Sequence, residues 1–381
     1  MKKLFSRITA KQLIPIIMIA VILLGVFITW KLNPIDYELY KSDTISYVKA
    51  KVTAVNEERL QPSTDTPGRN VGDQSITVVF TEGDHKGESV TFNNILSSTH
   101  SVEVEVGTRI IVKCDRPEGV EPFFSVYQYD RSIGIVIAFA IFIAIICLVG
   151  HGKGLRAAIA LLVSILVVAG ALIPAIYNGL SPIAVTLAVC VAISSVTLVL
   201  MNGFSAKTAA AIVSTVIGLA ASALLYAVIA GILTVTGYNL EETESLILIS
   251  RNTGLVLAEI LFSGILLSSL GAVMDTAMSI ASALFELAEN KPDIKKAELL
   301  RSGMNIGRDM IGTMCQTLVL AFVGSSVATL LVVVAYSTSF NRFMSSDFLA
   351  LEVLQALTGS FAVILTVPIT AFLCSRLHGK R

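Results

Sequence analysis

The stretch SIGIVIAFAIFIAIICLVG, Ser132 to Gly150, carries no charged residue over nineteen positions. Coiled as an α-helix at about 1.5 Å per residue it is roughly 28 Å long, close to the ~30 Å hydrocarbon core of a bilayer. Lipid offers no partner to backbone N–H and C=O groups, and a helix satisfies them internally. The run stops at His151-Gly-Lys-Gly-Leu-Arg156, where glycines and basic residues interrupt it, and a second apolar run fills 156–177. Further runs of spanning length follow at 182–201, 208–236, 253–274, 310–336 and 350–374, and one precedes them at Leu13 to Trp30. Eight spans are expected. Composition agrees: 54% of the 381 residues are hydrophobic and 15% charged, against roughly a quarter charged in soluble domains. The net charge of zero points to no nucleic-acid or acidic partner.

The first run follows Lys2, Lys3, Arg7 and Lys11, as a signal peptide or an anchor would. It is long for a signal core, and Lys31-Leu-Asn-Pro34 offers no small-x-small cleavage site, so residues 1–30 are read as a cytoplasmic tail and uncleaved anchor. From 31 to 131 the composition turns polar, and alternating stretches predict strands over 47–55, 75–81, 88–93, 108–114 and 123–129. Gln61 to Asp73, with two prolines and two glycines, reads as a loop, and Gly83-Asp-His-Lys-Gly87 as a hairpin turn. Five short strands in about a hundred residues predict a small antiparallel β-barrel-like domain. It lacks an aromatic platform with interleaved basic residues, so nucleic-acid binding is not expected.

Lys and Arg in the short connections set orientation. With the N-terminus inside, the cytoplasmic segments hold Lys2, Lys3, Arg7, Lys11, Lys153, Arg156, Lys207, Lys291, Lys295, Lys296, Arg301, Arg308, Arg376, Lys380 and Arg381, and the short outer loops only Arg251 and Arg342. Fifteen against two places both termini in the cytoplasm and residues 31–131 outside. Within the seven-span region 132–381, the segment 275–309 reads as a cytoplasmic loop of two short amphipathic helices. Ala277, Ile280, Ala281, Leu284 and Ala288 form one stripe and Ile294, Ala297, Leu300 and Met304 another, separated by Pro292. It is either a cover for the inner face or a docking element.

Of the five cysteines, Cys147, Cys190, Cys315 and Cys374 lie in apolar runs and Cys114 is alone in the polar domain, which leaves no disulfide framework or paired-cysteine zinc site there. His85, His100, His151 and His378 have no ligand spacing, so neither metal nor cofactor is expected. No phosphate-binding loop is present, and no nucleophile–base pair falls at membrane depth, so the chain is not expected to be an enzyme.

Ionisable groups inside spans are costly and face cavities or partners. Asp275, Arg308, Asp309 and Gln316 are expected to converge near the cytoplasmic mouth, where Asp275 either pairs with Arg308 or binds a solute or coupling ion. Glu259 lies sixteen residues before Asp275, on nearly the opposite helix face, and either reaches the outer headgroups, makes a buried hydrogen bond or serves a second site. Glu352 is expected at the outer interface. Small residues four apart, Gly264 with Ser268 and Gly324 with Ala328, are expected to bring helices close.

Three motifs, Gly271-Ala-Val-Met-Asp-Thr-Ala-Met-Ser-Ile280, Asn305-Ile-Gly-Arg-Asp-Met-Ile-Gly-Thr313 and Leu320-Ala-Phe-Val-Gly-Ser-Ser326, resemble the YibE/F-like family of bacterial multipass membrane proteins. The resemblance is strongest from Arg131 onward. It implies the cytoplasmic membrane of a prokaryote, with a second related multipass chain or a further copy of this one as candidate partner beside the lipid bilayer. It carries over no catalytic residues. The residues themselves, with many spans, few but placed intramembrane polar groups, small-residue packing and a structured inner loop, lead to an expected function as a transporter, exporter or permease-like subunit of unknown substrate. The alternative is a membrane scaffold or signalling component whose outer domain and inner loop bind protein partners.

Overall fold

The computed structural model describes residues 10–35, 42–236, 238, 243–336 and 339–378, apart from the side chains of residues 10–13, 258 and 378. Lys2, Lys3, Arg7, Lys380 and Arg381 of the orientation argument lie outside them. The chain forms two compact units, Glu38–Ile145 and the remainder.

The first unit holds a curled sheet of five antiparallel strands, β1 (Ile45–Pro62), β2 (Asn70–Phe80), β3 (Ser89–Leu96), β4 (Arg109–Asp115) and β5 (Phe123–Tyr129), in the order β3-β2-β1-β4-β5. Side chains alternate between faces, so Ile76, Val78 and Phe80 of β2 and Ile110, Val112 and Cys114 of β4 fill one core with Ala50 and Val52. Curling brings the unpaired edges together: the Phe92 and Phe124 ring centroids are 6.1 Å apart. His100 Nε2 lies 3.1 Å from the carbonyl oxygen of Val126.

The loop expected over Gln61 to Asp73 is shorter than that, because both of its ends are strand. β1 and β2 pair from Ala50 opposite Phe80 out to Pro62 opposite Asn70, leaving only 63–69 as loop. Pro62 is tolerated because it ends the strand, and Gly72 because its φ is +135° and a Cβ would lie 2.0 Å from the Arg59 carbonyl oxygen. One residue pair closes the interior by an unexpected device. Gln74 and Asn94, 1% and 2% exposed, point inward and bind the irregular segment 102–104 as a strand would. Gln74 Nε2 donates to the Val104 carbonyl at 3.0 Å, and its Oε1 accepts from Val104 N–H at 3.1 Å and Asn94 Nδ2 at 3.2 Å. Asn94 Nδ2 also donates to the Val102 carbonyl at 2.8 Å.

The second unit is helical. Its elements are α1 (Ala10–Leu32), α2 (Ser132–Val167, whose first turns belong to the β unit), α3 (Ile173–Tyr177), α4 (Pro182–Asn202), α5 (Ala206–Leu233), α6 (Thr243–Thr253), α7 (Leu257–Asn290), α8 (Lys296–Ser325), α9 (Val327–Ala335), α10 (Phe340–Met344) and α11 (Asp347–His378). Among the described residues, seven helices are long and apolar enough to cross a membrane, one fewer than expected because Ser132–Tyr177 counts as one stretch of 46 residues. That stretch is broken where the sequence breaks, at His151, whose φ of 49° and ψ of −130° are not helical. The turn is tight: a Cβ at Gly154 would lie 2.1 Å from the Ile146 carbonyl oxygen. A π-turn, Val168–Leu172, precedes Pro174, which has no N–H to continue the regular ladder. Val26 of α1 rests against Gly170 there, and Ile19 and Ile22 join the same core.

Three expectations about the bundle are corrected. The segment 275–309 is two helical stretches broken around Pro292, as expected, but not a loop of separate short helices: Asp275 to Asn290 continue α7, residues 291–295 turn, and α8 begins at Lys296 and runs on to Ser325. Ala277, Ile280, Ala281, Leu284 and Ala288 are buried in a core shared with Leu299, Val367 and Ala371, so their stripe faces the bundle and not the headgroups. The expected span over 310–336 breaks at Ser326, between α8 and α9. The close approaches are not at Gly264 or Gly324, which have nothing within 4 Å of a built Cβ. They lie along α11: at Gly218 a Cβ would meet Thr366 Oγ1 at 2.0 Å, at Gly303 the Ala371 Cβ at 2.8 Å, and at Gly307 the Val367 Cγ1 at 2.1 Å. Gly303 and Gly307, four apart, put one face of α8 directly on α11.

Candidate functional site

Asp275 is the single charged residue between Glu259 and Glu286. It lies eighteen residues from the start of α7, about 27 Å along the helix. It opens into a cleft of about 660 Å³ walled by α2, α4, α7 and α8. Ser164, Asn202 and Ser279 supply polar groups, and Met201, Met274, Met278, Met310 and Met314 much of the rest. Ser164 Oγ donates to the Ala160 carbonyl at 2.8 Å and Asn202 Nδ2 to the Leu198 carbonyl at 3.3 Å, so both spend donors on their own helices. Asp275 makes no hydrogen bond or ion pair with another described residue.

The expected convergence on Asp275 does not form. Met310 and Met314 of α8 face the cleft, whereas Arg308, Asp309 and Gln316 are absent from its wall. Arg308 donates to Asn305 Oδ1 on its own helix at 3.4 Å, and no ion pair joins it to Asp275. At about 100° per residue, Gln316 sits nine residues and about 180° from Gly307, the glycine pressed on α11.

Glu259, in the first turn of α7, accepts from Ser181 Oγ at 2.5 Å and from Ile183 N–H at 3.3 Å. Ser181 is the N-cap of α4 but makes no side-chain cap of its own, and the carboxylate supplies the missing acceptor at the positive end of that helix. Glu352 accepts a short hydrogen bond from Ser326 Oγ at the α8–α9 break, while its Oε2 is buried with no partner, which ties it into the bundle.

Residues 138–380 match the YibE/F-like protein family, and residues 39–122 match the YibE/F family N-terminal domain. The chain belongs to the YibE/F-like family. No curated protein and no solved structure matches it. The whole cleft wall falls within the YibE/F-like region, and most of the curled sheet, β1 to β4, within the N-terminal domain. With its long apolar helices, this YibE/F-like chain is an integral membrane protein.

Sequence reasoning misses the methionine wall and the Glu259 cap. Met274 with Met278 and Met310 with Met314 are both i, i+4 pairs, a visible spacing whose meaning depends on two helices facing one cleft. Glu259 and Ser181 are 78 residues apart, with no local signal to join them. Glu259→Ala is expected to lower the apparent unfolding midpoint of the detergent-solubilised protein by the equivalent of about 1 kcal/mol. Glu259→Gln, which keeps an acceptor oxygen, should recover most of it in the same thermal scan. Equal loss in both variants would contradict the capping role.

Proposed function

We propose that this protein is a permease-like transporter subunit whose solute or coupling ion binds beside Asp275. One observation carries the reading: a carboxylate without a partner among the described residues, in the wall of a 660 Å³ cleft among apolar helices. A charge at membrane depth costs several kcal/mol unless it faces a cavity and meets a ligand there. The sharp turn at His151 supports counting Ser132–Tyr177 as two crossings and the total as eight. The charge distribution supports cytoplasmic termini and an extracytoplasmic β unit, and the family resemblance a prokaryotic cytoplasmic membrane.

Thermal unfolding of the full-length protein against a panel of ions and metabolites tests this without a prior guess at direction. A ligand that binds only the folded state at a hundred times its Kd adds about 2.7 kcal/mol. At least one solute is expected to raise the midpoint by several degrees in wild type and not in Asp275→Asn. If no solute does so in folded protein, the reading fails.

A partner-binding reading is favoured by the outward face of α8. Asn305, Asp309, Gly312 and Gln316 lie along one side of a spanning helix, where lipid offers polar groups no partner. The occupant that fits is a second copy. About a two-fold axis along the membrane normal, parallel α8 helices bring Gln316 to Gln316, whose amide both donates and accepts, and each Asp309 towards the other Arg308. Gln316→Cys should cross-link to a dimer in membranes under mild oxidation, whereas Val327→Cys, on the short helix beyond the break, should not. Monomer alone from Gln316→Cys would remove this reading.

A further inference from the structure

We infer that the Asp275 cleft takes an amphipathic organic monocation, its apolar body against the methionines and its charge against the carboxylate. This rests on the solute-binding reading of the same cleft. Five of the chain's nine methionines line this one wall, from three different helices. Leucine would fill the same volume and keep the wall as apolar. Methionine adds an unbranched chain that turns about three bonds and a polarizable sulfur, so the wall conforms to bodies of different shape and is attracted to a nearby cation.

Asp275 is the one charged side chain in the lining, which sets the preferred ligand charge at plus one. A divalent cation such as Ca²⁺ or Mg²⁺ is a poorer match, because it takes six or more oxygens, and the cleft offers one carboxylate with only the scattered side-chain oxygens of Ser164, Thr197, Asn202 and Ser279 beside it. The volume of about 660 Å³ lies within the roughly 300–1,000 Å³ of sites that enclose drug-sized molecules. The competing occupant is a soft metal ion held by thioethers alone, which has no use for the carboxylate.

The test is equilibrium binding to the full-length protein in detergent, with tetraphenylphosphonium as the cationic probe, triphenylphosphine oxide as the neutral one and silver(I) as the soft metal. Saturable binding of tetraphenylphosphonium is expected, weakened about tenfold or more, or about 1.4 kcal/mol, by Asp275→Asn. The paired replacements Met274→Leu and Met278→Leu conserve volume, so the fold should persist, as an unchanged elution profile would verify. They should weaken the same probe several-fold. Equal binding of the neutral probe, or tetraphenylphosphonium binding indifferent to Asp275→Asn, overturns the inference. Silver(I) binding lost with the methionines and unaffected by Asp275→Asn, without tetraphenylphosphonium binding, overturns it in favour of a metal while leaving the solute-binding reading standing. If neither probe nor metal binds and no solute shifts the unfolding midpoint, both fail together.

Discussion

Gly307→Val is expected to leave little folded protein after extraction into detergent, seen as loss of the monodisperse peak in fluorescence-detected size exclusion. A Cβ at Gly307 would already lie 2.1 Å from Val367 Cγ1 and 3.1 Å from its Cβ, and valine adds two methyl groups beyond it. Val367 is fully buried in a core with Ala371, Ala281 and Leu284, so it has nowhere to retreat. Overpacking a filled core costs about 1–3 kcal/mol when side chains can adjust. Here α8 itself must move away from α11, and about 3 kcal/mol or more is expected. Gly264→Val is the control, because its built Cβ meets nothing within 4 Å, and it should elute as wild type does. If both variants behave alike, the α8–α11 contact is not what holds the bundle.

In the β unit the largest effect is expected from Gln74→Met, which keeps the shape of the side chain and removes its hydrogen bonds. Val104 would lose both partners of its backbone N–H and C=O, and Asn94 Nδ2 one of its two acceptors, all in the buried interior. Each unsatisfied buried group costs about 1–3 kcal/mol, so the unit should lose roughly 3 kcal/mol, or about 15 °C for a domain of this size. Hydrogen exchange followed by mass spectrometry on the full-length protein would show peptides spanning 102–104 losing protection, with those of β4 less affected. Unchanged exchange at 102–104 would mean that the segment is held by packing of Val102 and Val104 alone.

Much of the architecture is legible in the amino-acid sequence, and the departures from it share a cause. Long apolar runs disclose spans and alternation discloses strands because each pattern is local. Asp275 reads as the end of a span since a charge ordinarily marks the bilayer edge, but a cleft accommodates it within α7. The same reasoning makes the rest of α7 look like a surface helix. Gly264, Gly324, Gly303 and Gly307 are equally small, and only the facing helix decides which of them is pressed. Gln61 to Asp73 resembles a loop when its prolines and glycines are counted without their places in the ladder. At the candidate site, Asp275 is visible as a lone charge in an apolar run, but its company is not. Arg308 and Gln316 are expected at its depth near the cytoplasmic mouth but are absent from the cleft wall, while the methionines that line it look like ordinary filling.

The turn at His151 has the backbone handedness of a D-amino acid, yet an L-residue occupies it between two glycines, Gly150 and Gly152, that could adopt that shape freely. Holding it there costs about 1–3 kcal/mol. A slip of one residue would hand the turn to a glycine and spin the following helix by about 100°. That rotation would pull Ala158, Ala160 and Val163 out of their buried seats and swing Ser164 off the cleft wall. The packing of this helix therefore acts as a catch on a wound spring, and the tension it retains is stored a few turns from the pocket.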